Sequence, residues 1–565
     1  MKKIIYLLAS VLVLTSCEDF LDTENYTKKT TGNWPVSYTD AQQLLTGVYS
    51  TLSEVTSNAQ DSYYYMAELA ADERFGGGGE NDKQMQAFDK LMNFGADMML
   101  TFWEGRYKGI YRANNGLETV GNWEDAVTET QKNQVIGELH FLRGFFYHEL
   151  VEAFENIPLI LTAESEDMPQ ADPDLVYGQI AYDLKQAIEL IPQTKAPSDG
   201  HATKWDAEAL MARVFLFYTG FYNQTSMPLG NGEGENVGTI TQDQVITWLE
   251  DCINNSGHDL VPDFRELWSY TNPYTAPYYS YANGLSWVED GSNPEQMFSI
   301  KYSFLADWND SQIGYSNQYA LHMSLRHGNG YENTFPFGRG WGAGPVNSRL
   351  WNEWTQAEPN DIRRKASILD ATDTEECSDY LWGQDTQMEE TGYWQKKIIN
   401  IQAYDGGERY DVFGYLMYGA QNDIALGCVT DLILIRFSDV LLMHSELKKD
   451  VTGINRVRTR AGLNPISAYS DEALRNERRW ELCFEGRRWA DIRRWGIVTN
   501  VLDSQEGVAI KNNGVDATIK AFGGGYSARY NATRGFYKIP ESQVTLSQYL
   551  VQNPGWGSEA EFAGW

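Results

Sequence analysis

Glu477-Arg-Arg-Trp-Glu-Leu-Cys-Phe-Glu-Gly-Arg-Arg-Trp-Ala-Asp-Ile-Arg-Arg-Trp-Gly496 places six arginines, four carboxylates and three tryptophans in twenty positions. Ser470-Asp471-Glu472 stands ahead of it and Arg493-Arg494-Trp495-Gly496 closes it. Acid at the start and base at the end suit the helix dipole, so the pattern predicts one helix over 470–496. Opposite charges recur three or four positions apart: Arg478 with Glu481, Glu485 with Arg488, Arg487 with Asp491, and Asp491 with Arg494. Such pairs are neighbours on a helix surface. An anion site is the sharper alternative for so many guanidinium groups, but a ladder of solvated ion pairs accounts for the pattern without a ligand. Each exposed pair then contributes only about 0.3–0.5 kcal/mol. The segment is scaffold.

Outward from it, the helical texture continues. Residues 440–449 and 454–461 read as a helical hairpin stopped by Gly462 and Pro465. Upstream, residues 137–154 pack through Leu139, Leu142, Phe146 and Leu150. Asp174 caps a helix whose stripe is Val176, Ile180, Leu184, Ile188 and Ile191, ended by Pro192. Thr203 caps another, with Ala207, Leu210, Met211, Val214 and Tyr218 on one face. Helices of this length with short turns suit stacked helix-turn-helix repeats, though no fixed period is legible. Two regions break the texture. Gly76 to Gly79 form a flexible loop, and 261–430 crowds Tyr, Trp, Gly, Asn and Pro with few periodic stretches. Within the latter, 296–302 reads as a short strand. A long loop-rich stretch in a compact protein is usually functional. The glycine-rich run over 228–240 reads as a surface insertion.

The chain has 565 residues, 42% hydrophobic and 22% charged, which describes a soluble globular protein. Its net charge of −33 repels nucleic acid and leaves it poorly suited to lying on anionic lipid. Membrane attachment therefore needs another device. Lys2 and Lys3, the apolar run from Ile4 to Leu14, and Leu14-Thr15-Ser16-Cys17 supply one. The run is too short to span a bilayer and reads as a signal peptide over 1–16. Its end resembles a bacterial lipobox, in which Cys17 becomes the acylated first residue. Acyl chains anchor it, each buried CH₂ contributing roughly 0.8 kcal/mol. Residues 17–32 are polar and read as a tether. Cys252, Cys377, Cys428 and Cys483 are scattered, without a CxxC pair, and are left unpaired.

The chemistry of catalysis is not written here. His148-Glu149-Leu150-Val151-Glu152 begins like a zincin motif but has Glu where the second His must stand. There is no GxSxG elbow, and the 228–240 glycines lack a phosphate loop's Lys and Ser/Thr. His322 and His327 lie five apart in loop sequence and form no chelating pair. With 78 acidic residues, carboxylate pairs arise by chance and carry no weight. Acidic loops would suit a Ca²⁺ ion, but the twelve-residue calcium-loop pattern is absent, so no cofactor is assigned. Binding is better supported. Aromatics make up 13% of the chain, including 18 Trp and 34 Tyr. A sugar site needs flat apolar faces beside amides, carboxylates or guanidinium groups. Two segments offer that mixture: Asp72-Glu73-Arg74 with Asn81-Asp82, and the run carrying Trp308, Tyr315, Tyr319, Tyr331 and Trp341. Trp103, Trp351 and Trp354 are read as packing.

The most specific text lies at the C-terminus. Arg436-Phe-Ser-Asp-Val-Leu-Leu-Met-His-Ser-Glu446, Ile454-Asn-Arg-Val-Arg-Thr-Arg-Ala-Gly462, the opening segment, Ile539-Pro-Glu and Gln552-Asn-Pro-Gly resemble, in order and spacing, motifs of the SusD/RagB family. Phe141-Leu-Arg-Gly-Phe-Phe-Tyr, Asn156-Ile-Pro-Leu and the stretch from His201-Ala-Thr-Lys to Arg213 resemble its upstream motifs. The resemblance implies a mostly α fold: a tetratricopeptide-like helix-pair scaffold over 33–260 and 431–565, with a large loop-rich ligand-binding region over 261–430. It implies a surface-exposed, lipid-anchored outer-membrane protein that captures oligo- or polysaccharide without catalysis. Its partner would be a SusC-like TonB-dependent transporter. A peptide cargo, as in RagB-type importers, stays open, as does a lid that only gates its barrel. Family ligand residues come from loops at the two places singled out above. The expected site is therefore Asp72, Arg74, Asn81, Asp82, Trp308, Tyr315, Tyr331 and Trp341, with Cys17 lipidated.

Overall fold

The computed structural model describes residues 34–557, apart from 36, 79–82, 94, 124–126, 165, 194–198, 309–312, 327–333, 374–375, 377–379, 381 and 384–388. Cys17, Asn81, Asp82, His327, Tyr331 and Cys377 lie outside the described residues, as do the signal peptide and tether.

The N-terminal helices are α1 (Tyr38–Thr56), α2 (Tyr63–Ala70), α3 (Lys83–Asp89), α4 (Leu100–Glu118), α5 (Glu129–Phe154), α6 (Pro173–Leu190), α7 (Lys204–Phe221) and α8 (Gln242–Asn255). Thr203 caps α7 as expected, in a reciprocal box with Asp206. Asp172, not Asp174, caps α6, because Pro173 takes the first helical position, where its missing N–H costs nothing. Consecutive helices pack on one another from α4 to α8, and α8 packs on a C-terminal helix. The run over 228–240 is not a plain insertion. Ser226–Gly230 and Asn236–Thr241 form an antiparallel hairpin lying on α6, where Asn236 donates to the Asp174 carbonyl at 3.0 Å.

The middle of the chain contributes α9 (Gln318–Met323), α10 (Ser348–Ala357) and α11 (Ile362–Ser367), the one-turn helix Gly414–Tyr418, and small two- and three-stranded sheets. The strand read over 296–302 is Ser299–Ile300, paired with Leu432–Ile433. This region has its own core around Phe264, Trp268, Trp287, Phe337, Trp394 and Phe413. Trp354 is buried, stacks 5.0 Å from Trp480 and donates to Asp361, which is packing as read.

The C-terminal part opens with α12 (Phe437–Lys448), α13 (Thr452–Arg460), α14 (Asp471–Leu482) and α15 (Arg488–Arg494), and the short helices Val498–Asp503, Tyr526–Thr533 and Glu541–Leu546 follow. The hairpin α12–α13 forms, and its core is continuous with that of the N-terminal helices. The single helix read over 470–496 is two. Ser470 caps α14, but the helix ends at Leu482, and Phe484 and Gly486 follow with φ of 65° and 69°. Helix α2 holds the break open. Tyr64 donates its hydroxyl to the Phe484 carbonyl (2.8 Å), and the Gly486 N–H donates to Glu68 (2.5 Å).

The break also overturns the exposed ladder. Of the four pairs read from spacing, Asp491 with Arg494 is the one formed (2.8 Å) among the described residues. The remaining charges face inward. Arg436 donates to Glu485 (2.7 Å), Glu481 (2.9 Å) and Glu295. Arg363 donates to Glu477 (2.7 Å), Glu481 (3.0 Å) and Asp361 (2.7 Å). Arg478 joins Asp439 to Asp491, and Arg494 holds Glu446 at 2.6 Å. All of these groups are buried. They tie α11, α12, α14 and α15 together through charge, alongside the apolar core that α12, α14 and α15 share.

Several buried carboxyls are pushed up by burial: Glu208 to about 9, Glu73 to about 8, Asp206 and Asp89 to about 7. For each, the unfolded chain ionises near pH 4 while the folded protein keeps its proton. Stability from these groups is therefore whole below pH 4 and lost as pH rises toward 7–9. Glu208→Gln removes one such group, in contact with Lys204 at 3.5 Å. We expect its melting temperature to fall less between pH 5 and pH 9 than that of the unaltered protein, Glu208 accounting for on the order of a few kcal/mol. Parallel melting curves against pH would show that Glu208 is ionised in the fold.

Candidate functional site

Asp72 and Arg74, expected to touch ligand, are interior. Burial alone would raise the Asp72 carboxyl, but Arg488 (2.7 Å) and Arg479 (2.9 Å) outweigh it and hold it near 2. Arg74 donates to Glu68 (2.7 Å) and the Gly344 carbonyl (3.0 Å), with Phe484 beneath it. These residues leave the candidate ligand set. Their work is positional: they clamp the segment after α2 to α14 and α15 on one side and to the 342–346 loop on the other.

That clamp brings the two expected regions together. Arg74 bridges to Val346 and Gly77 to Ala343, and the Gly344 N–H donates to the Gly76 carbonyl at 3.2 Å. Gly77 has φ +73°, and a Cβ there would stand 2.4 Å from the Gly342 carbonyl oxygen. Gly77→Ala thus meets both strain and overlap, with an expected cost of about 1–3 kcal/mol. Urea denaturation reads this directly, and an unshifted midpoint would show that the two loops are not held by this contact.

Around α9 three of the expected aromatics stand open to solvent: Trp308 (59% exposed), Tyr315 (44%) and Trp341 (45%). Trp341 donates its backbone N–H to the Leu321 carbonyl (2.9 Å), and its ring lies 4.6 Å from that of His322. His322 is helical and buried, not a loop residue, and burial lowers its pKa to about 4, so it is a neutral backing for the indole. The turn Ile313–Tyr315 rests on the end of α1, where a Cβ on Gly314 would meet Ser57 at 3.0 Å. The Ser303 N–H donates to the Tyr315 carbonyl (2.7 Å), closing the loop that carries Trp308, and Gln421 donates to the Ala306 carbonyl (3.0 Å) to brace it. Phe304 and Leu305, on the same loop, are also exposed. The sequence reading missed both, since nothing in an apolar pair says which way it faces. Tyr319 is buried, donating to Ser62 at 2.6 Å.

A cleft of about 380 Å³ opens beside the same end of α1. Asn58, Gln60, Asp61, Gln84 and Asp97 supply polar groups to it, and Phe88, Met98 and Met99 supply apolar surface. Asp61 accepts from the Thr101 N–H at the start of α4 (2.7 Å), which fixes one wall. Helix α9 packs on the 59–61 turn, so cleft and aromatics share one support. The arrangement offers ring faces for stacking and amides and carboxylates for hydroxyl groups.

His148 is buried 3.9 Å from Glu152, its pKa lowered by burial to about 4. Cys252, Cys428 and Cys483 are buried unpaired thiols, the last two pushed up by burial to about 11 and 12. Among the described residues, no group of three or more His, Cys, Asp or Glu is placed to hold a metal ion, and no helix is long and apolar enough to cross a membrane.

Comparison with known proteins meets this geometry from another side. Residues 19–216 match a SusD-like family model described as "Starch-binding associating with outer membrane", and residues 279–556 match the SusD family model. A SusD-like protein of Formosa agariphila is 26% identical over 426 residues, 70% of this chain and 72% of its own length. Another, from Bacteroides ovatus, is 22% identical over 425 residues, 70% of this chain and 65% of its own. Among solved structures, a laminarin-binding SusD-like protein superposes with TM-score 0.68 at 22% identity, covering 92% of this chain and all of the other. Surface glycan-binding protein A of Bacteroides thetaiotaomicron, in complex with laminarihexaose, gives TM-score 0.68 at 20% identity over 91% and 99%. These structural likenesses establish a shared helical, tetratricopeptide-like fold.

Proposed function

This chain belongs to the SusD/RagB family, and from that membership we propose that it captures an oligo- or polysaccharide at the cell surface and delivers it to a SusC-like TonB-dependent transporter. The role is non-catalytic, as in the family. Trp308, Tyr315 and Trp341 stack on sugar rings, while the cleft at the end of α1 takes up hydroxyl groups. Asn81, Asp82 and Tyr331, from the same two regions of sequence, are proposed as further contributors. Lipid on Cys17 holds the protein to the outer membrane.

The observation that carries this reading is the set of exposed aromatics on the segments flanking α9. Three large aromatic side chains are left exposed where apolar surface costs free energy: Trp341 beside the buried His322 ring, Tyr315 on the turn at the end of α1, and Trp308 on the loop closed by the Ser303–Tyr315 hydrogen bond. Two structural neighbours named for laminarin and laminarihexaose support a glycan as cargo. The test is calorimetric titration of the soluble protein, starting after Cys17, against plant, host and microbial polysaccharides beside a casein digest. Heat with one polysaccharide class is expected. Heat with the digest alone would move the protein to peptide import, and silence throughout would point to a lid that needs its barrel.

A further inference from the structure

We infer that the glycan taken by this site is uncharged, and that polysaccharides bearing uronate or sulfate are rejected. The inference rests on the glycan reading above and narrows it. Asn58, Gln60 and Gln84 line the cleft with amides, which donate to and accept from hydroxyl groups. Asp61 and Asp97 line it with carboxyls, which accept from hydroxyls but repel a ligand anion. No described residue lining the cleft is basic. Recognition of carboxylate or sulfate calls for the opposite lining, guanidinium or ammonium groups placed for charge-assisted hydrogen bonds.

The cations nearby are already committed. Arg326 donates to the Trp341 carbonyl at 3.0 Å, Lys301 is paired with Asp431, and Lys90 lies 3.9 Å from Glu389 and 3.0 Å from the Gln86 amide oxygen. Recruiting any of them to an anionic sugar would break an existing contact. The whole-molecule field acts in the same direction. A net charge of −33 opposes the approach of a polyanion, with a reach set by a Debye length of about 8 Å at physiological salt. A neutral chain feels neither penalty, and its affinity is carried by stacking on Trp308, Tyr315 and Trp341.

The experiment compares charge on a constant backbone. The neutral polysaccharides of the titration panel are run beside their own carboxymethyl and sulfate derivatives, at low salt and at about 0.5 M salt. Each derivative is expected to bind at least about tenfold more weakly than its parent at low salt, with the gap narrowing as salt screens the repulsion. Gln84→Lys, which puts a cation at the cleft, is expected to narrow the gap at low salt. A derivative that binds as tightly as its parent, or a natural polyanion that is the only polysaccharide bound, overturns the inference and leaves the glycan reading standing. An unchanged gap in Gln84→Lys overturns the cleft as its source. Binding of the casein digest alone overturns the glycan reading itself, and this inference with it.

Discussion

Alanine at both Trp308 and Trp341 is expected to lower glycan affinity by about a hundredfold or more while leaving the protein folded. Buried aromatic anchors at binding surfaces commonly contribute about 2 kcal/mol each, and two of them compound. The fold should tolerate their loss. Trp308 is 59% exposed, so its truncation removes little packing. Trp341 is 45% exposed and gives up one face to His322, so its truncation costs more but stays modest. Titration calorimetry on the folded double variant reads the affinity, and a thermal melt reads the fold. Full affinity in a folded double variant would place the sugar somewhere other than the α9 face. Tyr315→Ala should fall between the double variant and the unaltered protein, since it removes one exposed ring of the three.

Arg436→Met is expected to cost about 3–5 kcal/mol of stability, with glycan affinity in the folded fraction unchanged. Arg436 is 2% exposed and joins Glu295, Glu481 and Glu485, which Arg363, Arg460 and Lys397 also engage. Removing one guanidinium leaves buried carboxylates facing one another with too little positive charge, and neutralising them by protonation costs free energy at neutral pH. Were its ion pairs solvent-exposed, the same substitution would cost only about 0.5 kcal/mol. Urea denaturation therefore separates the two pictures, and a shift near the smaller value would mean the network is solvated. Replacing Arg436 together with Glu481 and Glu485 by apolar residues of matching volume should recover part of the loss, because the penalty comes from unpaired charge.

The helices were legible wherever the signal is local. Thr203 with Asp206, Ser470 ahead of α14, and the α12–α13 hairpin follow from capping chemistry and apolar period, which act within a turn or two of chain. The break between α14 and α15 was not legible, because Phe484 adopts a positive φ that its own side chain disfavours. Partners in α2, 418 to 420 residues away, impose it. Asp72 and Arg74 misled for the same reason. Polar residues beside a glycine loop look like ligand groups until Arg479 and Arg488, more than 400 positions distant, are seen to neutralise Asp72. Trp308, Tyr315 and Trp341 were chosen by residue type and neighbourhood, yet Tyr319 in the same run turned inward. Composition cannot distinguish the four.

What the sequence by itself determined is therefore the helical scaffold, the loop-rich middle and the family, since propensity, capping and ordered motifs are properties of short segments. The tertiary structure alone decided which charges are buried, where the long basic helix breaks, and which aromatics face water. Burial, desolvation and ion pairing depend on what lies across space, and the chain meets those neighbours only once it has folded.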